Sequence, residues 1–211
     1  GSEMCIRDRN CRLDALLAQG NTGNGMSIGI GGTVSGCAAF ANQGHGILTN
    51  YGCTVTDCSA WGNGGSGANL ALTCTITNFS AYSNTAAGIT AAGECTMTAC
   101  TTRGGNVGIS TGIGSTITGC TAAFSNGIGI DAGSVCTVTN CSAYDNTGHG
   151  IDFGSGATLA NCSAWGNSGD GMRSAGSAST VVECTVNANS GHGLLVGSGS
   201  TVADCTAQDN T

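Results

Sequence analysis

The sequence of 211 residues contains no proline and no lysine, and only 8% of its residues are charged. The absence of proline excludes a collagen triple helix, which needs a Gly-X-Y repeat rich in proline. Five arginines face twelve acidic residues, which gives a net charge of −7. This is too little positive charge to follow a phosphate backbone, so no nucleic-acid partner is expected. Apolar runs stay shorter than the roughly 18 residues of a membrane-spanning helix, so no membrane span is predicted.

Glycine and cysteine are abundant instead, with 38 and 14 residues, and both follow an internal repeat. A Gly-x-Gly-aliphatic signature, or a variant of it, recurs every 20 to 22 residues. The repeats begin at Gly23, Gly44, Gly65, Ala86, Asn106, Gly127, Gly148, Gly169 and Gly191. Each repeat offers three alternating stretches that are too short to pair with one another, so each must pair with its counterpart in the next repeat. The pattern predicts an all-β fold, a parallel β-helix of nine to ten coils of ~21 residues with three strands per coil.

Thirteen of the cysteines fall into two columns that are predicted to point inward. One column lies three residues after the central aliphatic residue of the second strand, and the other lies five residues before the first column. The first contains Cys37, Cys58, Cys100, Cys120, Cys141, Cys162, Cys184 and Cys205, and the second contains Cys11, Cys53, Cys74, Cys95 and Cys136. Other repeats place Leu, Phe, Ala, Ser or Gly there, which favours small apolar core residues over metal ligands. The ~4.8 Å coil spacing also permits disulfides, so free thiols and disulfides both stay open.

An asparagine column marks the turn after the third strand. It consists of Asn21, Asn42, Asn63, Asn84, Asn126, Asn146, Asn167, Asn189 and Asn210, with Gly104 as the interruption. Asparagine is suited to turns, and stacked amides hydrogen-bond from one coil to the next. The column therefore predicts an asparagine ladder along the rod.

The repeat Asn-x-Gly-x-Gly-Ile…Gly-x-Thr-Val-x-x-Cys-x-Ala resembles the right-handed parallel β-helix repeats of the pectin-lyase-like superfamily. The resemblance covers residues 11–211 and implies a single right-handed β-helix domain. That superfamily includes pectate lyases, polygalacturonases, phage tailspikes and many bacterial surface proteins. The resemblance also implies a secreted or cell-surface protein. A shared fold does not define an activity.

The two ends of the chain differ from the repeats. Residues 3–9 resemble a translated sequencing-adapter fragment of the kind seen at the ends of metagenomic genes, so residues 1–10 are expected to be non-native. They lack the apolar core of about 7–15 residues that a signal peptide needs. The chain stops at Thr211 inside a turn and without an atypical capping repeat. We therefore expect C-terminal truncation and further coils or domains in the full-length protein.

Six of the nine aromatic residues share one outward column, two residues before the asparagine column. They are Phe40, Trp61, Tyr82, Phe124, Tyr144 and Trp165, here named the aromatic ridge. Aromatic rings stack on sugar faces, and Arg103 is placed to interleave by a cation–π contact. A stacking ladder that stiffens the turn is the alternative explanation, and it is the one that the pattern favours. The ridge is the candidate carbohydrate-binding surface.

Charged residues gather on the outer wall of the first strands. Asp131, Asp152 and Arg173 follow the aliphatic residue of three successive repeats, and His149, Asp170 and His192 lie in the middle of the adjoining Gly-x-Gly. Stacked carboxylates raise each other's pKa or bind a cation, and an arginine stabilises developing negative charge. The stretch from Gly148 to Ser155 also resembles a Gly-His-Gly-Ile-Ser-Ile-Gly-Ser stretch of polygalacturonases, although the paired aspartates and Arg-x-Lys of that family are absent. These residues are candidate catalytic groups, and a solvated surface is the alternative.

A third outward pattern is a row of Thr-x-Thr pairs on the second strands. It comprises Thr54, Thr56, Thr75, Thr77, Thr96, Thr98, Thr116, Thr118, Thr137 and Thr139. Such ranks are similar to the ice-binding faces of β-solenoid antifreeze proteins, although threonine is also simply a favourable strand residue. Later repeats replace the second threonine with Ala160, Val182 and Ala203.

Together these features favour a non-catalytic extracellular β-helical structural or binding module that contacts polysaccharide through the aromatic ridge. The alternatives are a polysaccharide lyase or glycoside hydrolase acting through the charged wall, and an ice-binding protein. No metal or cofactor is expected, except Ca²⁺ under the lyase alternative.

Overall fold

A computed structural model describes residues 4–6, 9–174 and 176–211, with the backbone alone for residues 4–6. In the part of the chain that the structure describes, three parallel sheets of ten strands each run along the molecule, and successive strands of one sheet are three places apart along the chain. The chain therefore winds as a parallel β-helix in which each coil adds one strand to each sheet. This confirms the predicted architecture.

The strands are numbered in chain order. The first sheet contains β1 Met4–Ile6, β4 Met26–Ile28, β7 Ile47–Thr49, β10 Ala68–Leu70, β13 Ala87–Ala91, β16 Val107–Thr111, β19 Ile130–Ala132, β22 Ile151–Phe153, β25 Met172–Ser174 and β28 Leu194–Leu195. The second sheet contains β2 Arg12–Asp14, β5 Thr33–Ser35, β8 Thr54–Thr56, β11 Thr75–Thr77, β14 Thr96–Thr98, β17 Thr116–Thr118, β20 Thr137–Thr139, β23 Thr158–Ala160, β26 Thr180–Val182 and β29 Thr201–Ala203. The third sheet contains β3 Leu17–Gln19, β6 Ala38–Phe40, β9 Ser59–Trp61, β12 Ser80–Tyr82, β15 Thr101–Arg103, β18 Thr121–Ala123, β21 Ser142–Tyr144, β24 Ser163–Trp165, β27 Thr185–Asn187 and β30 Thr206–Gln208.

The core is a stack of aliphatic, alanine and cysteine side chains along the axis of the rod. Side chains alternate along a strand, so a three-residue strand of the second or third sheet buries its middle residue and turns its flanks outward. Val55, Ile117 and Leu159 from the second sheet are fully buried in this way. Strands of the first sheet have the opposite phase and bury both ends, which leaves their middle residue on the outer wall.

The two cysteine columns lie inside the rod, as predicted. Eleven of the thirteen described cysteines are buried, Cys11 and Cys205 are half-buried, and all thirteen are free thiols. Many thiols donate to a carbonyl two residues earlier; Cys58 Sγ, for example, lies 3.0 Å from the Thr56 oxygen. Burial raises the pKa of the Cys58 thiol to about 11. These cysteines behave as small core residues that satisfy a weak donor locally. The remaining cysteine, Cys5, lies outside the described side chains.

The asparagine ladder forms, but it excludes one predicted member. In six members of the ladder the amide oxygen accepts hydrogen bonds from the backbone and side-chain nitrogens of the asparagine one coil before it, as Asn63 does from Asn42. Asn126 is exposed, and Ser125 takes its place by donating its backbone N–H to Asn146. The prediction for Asn126 is wrong because the pairing of Arg103 with Ala123 shortens that coil to 20 residues and shifts the register by one.

The first sheet begins before the predicted start of the β-helix domain. Met4–Ile6 pairs in parallel with Met26–Ile28, so a strand of the first sheet precedes Cys11, where the domain was predicted to begin. The non-native origin of residues 1–10 stays a prediction, and residues 1–3, 7 and 8 lie outside the described residues.

Among the described residues, none belongs to a helix with the length and hydropathy needed to cross a membrane.

Candidate functional site

The predicted charged wall forms on the outer face of the first sheet. Pairing aligns Asp131 with Asp152 and Asp152 with Arg173, so the three residues occupy equivalent positions on β19, β22 and β25. The Arg173 Nη2 donates to Asp152 Oδ2 at 2.7 Å. The Asp152 side chain is 14% exposed and the Arg173 side chain 35%, so this ion pair is partly shielded from solvent.

A groove of about 320 Å³ runs along this wall and is bordered by the turn that follows β19 and β22. Its charged lining is Asp131, Asp152 and Arg173, and its serine side consists of Ser134 and Ser155. Glycines also line the groove, and a side chain at these positions would collide with the preceding coil. A Cβ on Gly133 would lie 2.7 Å from the backbone of Gly112, and one on Gly154 would lie 2.5 Å from the Ser134 Oγ.

The serine side of the groove belongs to a row of equivalent turn positions along the whole rod, here named the corner row. Coil by coil it reads Ile30, Tyr51, Leu72, Gly93, Ile113, Ser134, Ser155, Ser177 and Ser198. The large members of the first coils project into solvent; Tyr51, for example, is 52% exposed. The change to serine begins at Ser134, where the groove begins. Small side chains at Ser134 and Ser155 therefore leave the groove open.

The two carboxylates of the groove differ in their partners. Asp152 is compensated by Arg173, whereas Asp131 receives a hydrogen bond from the Ser110 hydroxyl at 3.3 Å. Burial, followed by the neighbouring charge of Asp152, raises the pKa of the Asp131 carboxyl above its ordinary value, and the Ser110 hydrogen bond offsets part of that shift. A half-buried carboxyl with a raised pKa has the property required of a general acid or base.

The histidine and aspartate residues beside the wall form a contiguous chain across three coils. Asp170 lies between His149 and His192, with its Oδ2 3.3 Å from His149 Nδ1 and its Oδ1 3.1 Å from His192 Nδ1. The Asp170 backbone N–H donates to His149 Nδ1 at 2.9 Å, so this nitrogen acts as an acceptor. Burial opposes ionisation of Asp170, but hydrogen bonds from the backbone N–H and the ring of His192 outweigh it and lower the pKa of Asp170. The predicted charged residues thus come together, although Asp170 and the two histidines are absent from the lining of the groove.

These residues do not fit Ca²⁺. The ion takes about six to eight oxygen ligands. Asp131 and Asp152 offer two carboxylates, and Asp152 is already bound to Arg173. Within the described part of the chain, no group of three or more His, Cys, Asp or Glu residues has an arrangement suited to a metal ion.

The first half of the aromatic ridge is a stack of parallel rings. The centroids of Phe40 and Trp61 are 4.4 Å apart with an interplanar angle of 6°, and those of Trp61 and Tyr82 are 5.6 Å apart with an angle of 10°. Both faces of the Trp61 ring are therefore covered by its neighbours. The rings turn their edges, not their faces, toward solvent.

The second half of the ridge contains one residue that is out of register. Ala123 aligns with Tyr144, so Phe124 lies one position beyond the column, again because of the shortened coil. Phe124 contacts Tyr144 edge to face at 5.7 Å, and Tyr144 stacks on Trp165 at 4.7 Å. The Arg103 Cζ lies 4.2 Å from the centre of the Phe124 ring, which matches the expected cation–π contact. Stacking on a sugar by ring faces is thus restricted to the ends of the two stacks, such as the 42% exposed Trp165.

The threonine pairs align in register along the second sheet from β8 to β20. Thr96, Thr116 and Thr137 are exposed, and the other members are half-buried. The hydroxyls of Thr118 and Thr139 hydrogen-bond to each other at 3.0 Å, so part of the row satisfies its own polar groups. Ice binding by this face stays a prediction.

Comparisons with known proteins agree with this architecture. The sequence model of the family described as "Right handed beta helix region" matches residues 73–211, about two thirds of the chain. The chain is a parallel β-helix protein, and it belongs to this right-handed β-helix family. Among the curated proteins, none matches the sequence.

Solved structures with similar folds include enzymes that act on polysaccharides. One is the A-module of a mannuronan C-5 epimerase of Azotobacter vinelandii, which superimposes with a TM-score of 0.78 at 16% identity. The superposition covers 98% of this chain and 72% of the other. A second such A-module from the same organism gives a TM-score of 0.62 at 13% identity, over 87% of this chain and 64% of the other. A periplasmic alginate epimerase gives 0.61 at 11% identity, over 94% of this chain and 60% of the other. The chain thus spans less than two thirds of the length of the last two structures, and at these identities the likeness concerns the fold.

Proposed function

We propose that this protein binds a polysaccharide in the groove formed by Asp131, Asp152 and Arg173 on the outer face of the first sheet. The observation that supports this most is the groove itself. It combines two carboxylates, a guanidinium and serine hydroxyls along the rod axis, and polar groups of this kind hydrogen-bond sugar hydroxyls. The solved structures with similar folds are named as epimerases of mannuronan and alginate, which supports a polysaccharide as the ligand class.

The groove is a better candidate than the aromatic ridge for a physical reason. Sugar rings bind aromatic side chains through the flat face of the aromatic ring, and stacking covers the faces of Trp61. The ridge therefore acts first as a stacking ladder that stiffens the turns between coils. A secreted or periplasmic location belongs to the same proposal, and one of the similar epimerases is named as periplasmic.

The experiment fills the groove with a large side chain, although the change also removes the 3.2 Å hydrogen bond from the Ser177 backbone N–H to the Ser155 hydroxyl. Ser155→Tyr places a large side chain at a corner-row position where another coil already carries Tyr51. Ser198→Tyr makes the same change in the same row outside the groove lining and is the matched control. Binding of a panel of neutral, anionic and amino polysaccharides is measured by affinity electrophoresis and calorimetry.

Ser155→Tyr is expected to weaken binding at least tenfold, while Ser198→Tyr binds as the parent does. If Trp165→Ala abolishes binding and Ser155→Tyr does not, the aromatic ridge is the binding surface and the groove is not. If no polysaccharide in the panel binds the parent protein, the proposed function is wrong.

A second candidate is catalysis in the same groove, and the Asp131 environment favours it. Its raised pKa, and the Arg173 guanidinium two coils further along the same groove, are the elements of general acid–base catalysis with electrostatic stabilisation. The candidate reactions are glycosidic bond hydrolysis, lyase cleavage and C5 epimerisation. Reducing ends, ultraviolet absorbance of unsaturated sugars and proton NMR distinguish the three. Product formation that survives Asp131→Asn would exclude Asp131 as the catalytic group.

A further inference from the structure

The groove has more negative charge than its own residues neutralise. Asp152 and Arg173 compensate each other through a 2.7 Å contact, which leaves Asp131 as a half-buried carboxylate. Asp170 adds a further carboxylate on the same face, beside His149 and His192. At neutral pH the face is anionic, because its lone guanidinium among the described residues is already paired.

A polyuronate does not suit this groove. Each sugar of such a chain carries a carboxylate, and recognition of carboxylates relies on free arginine or lysine side chains. The sequence has no lysine, and Arg173 is engaged with Asp152. A uronate carboxylate in the groove would lie near Asp131 and Asp152, and like charges repel most strongly where they are shielded from water.

A ligand ammonium suits it well. An ammonium group has three donors and needs about three acceptors, far fewer than the ligands of Ca²⁺. Asp131 supplies a carboxylate, and the serine side of the groove supplies the Ser134 hydroxyl. A positive charge beside Asp131 would also remove the cost of leaving that carboxylate half-buried without a cationic partner.

Resting on the proposed polysaccharide-binding function, we infer that the groove selects an amino-sugar polysaccharide and binds its protonated amine at Asp131. The inference separates this chain from the polyuronate substrates that its structural neighbours are named for. Among the catalytic alternatives it leaves hydrolysis, because lyase cleavage and C5 epimerisation both act beside a uronate carboxyl group.

The experiment compares three hexasaccharides on the intact chain by isothermal titration calorimetry at neutral pH and low salt. The first is β-1,4-linked glucosamine, the second is its N-acetylated form, which differs by loss of the charge, and the third is oligogalacturonate. Asp131→Asn removes the proposed carboxylate with little change in shape. Asp204→Asn removes one negative charge at an exposed position on the last coil and is the matched control.

The glucosamine hexamer is expected to bind at least tenfold more tightly than the other two, and Asp131→Asn is expected to remove that preference while Asp204→Asn keeps it. Equal affinity for the acetylated hexamer, tighter binding of oligogalacturonate, or an equal loss in Asp204→Asn would each overturn the inference. In those three cases polysaccharide binding itself survives. If no hexamer or longer polysaccharide binds at all, the proposed function fails together with the inference.

Discussion

The asparagine ladder gives the sharpest test of what stabilises the rod. The buried Asn167 side chain makes four hydrogen bonds. Its Oδ1 accepts from the backbone and side-chain nitrogens of Asn146 at 3.1 and 2.9 Å, and its Nδ2 donates to Asn189 Oδ1 at 2.9 Å and to the Ala143 carbonyl at 3.1 Å. Asn167→Ala removes all four bonds and leaves buried donors on Asn146 and a buried acceptor on Ala143.

The magnitude follows from these contacts. A hydrogen bond contributes about 1 kcal/mol net, and a buried group left without a partner costs about 1–3 kcal/mol. The side-chain entropy regained on truncation offsets a part of this loss. We expect Asn167→Ala to lower the free energy of unfolding by about 3–5 kcal/mol, a large share of the 5–15 kcal/mol of an ordinary domain.

The control is Asn126→Ala, an exposed asparagine that the sequence pattern assigns to the same column. Its effect should stay within about 0.5 kcal/mol, as for other surface substitutions. Urea denaturation followed by circular dichroism gives both values, and hydrogen exchange of the Asn146 backbone amide reports local opening. A loss below about 1 kcal/mol for Asn167→Ala, or equal losses for the two variants, would refute the reasoning.

Four further predictions follow from the structure. Because the pKa of Asp170 is lowered, its ionised form stabilises the fold above the ordinary pKa of 3.8, and that stabilisation is lost as the pH falls through the lowered pKa. Asp170→Asn should therefore be less stable than the parent at pH 7, and the urea midpoints of the two proteins should converge in acid. Cys58, buried and with a pKa of about 11, should react with a thiol reagent at pH 8 far more slowly than the half-buried Cys205; equal rates would contradict the packing of the cysteine column. Trp61→Ala removes two stacked ring pairs, so the free energy of unfolding should fall by about 1–3 kcal/mol in thermal melting experiments. Polysaccharide binding should stay unchanged in this variant. The threonine rows should give no thermal hysteresis, since their hydroxyls are in part paired with one another and the second threonine is lost in later coils; measurable hysteresis would restore the ice-binding alternative.

The residues of the charged wall were predictable because they repeat at the period of the coil. A strand residue on one coil lies beside the residue one repeat later, so spacing alone predicted that Asp131, Asp152 and Arg173 would align. Spacing carries no information about side-chain rotamers or turn shape. The ion pair of Arg173 with Asp152 and the opening of the groove at Ser134 therefore emerged only from the folded coils. The change from large apolar residues to serine along the corner row was the signal in the sequence that could have revealed the groove.

The sequence by itself determined the coil. A period near 21 residues, alternation within short strands, and inward columns of aliphatic residues and cysteine leave a stacked parallel β-helix as the arrangement that buries them. Tertiary structure decided which residues share a column where the period slips. Pairing of Arg103 with Ala123 moves Phe124 and Asn126 out of their columns, because hydrogen bonds between strands, and not counting along the chain, fix the register. Ring stacking between coils likewise turned the aromatic ridge edge-on to solvent, an orientation set by contacts between residues about 21 positions apart.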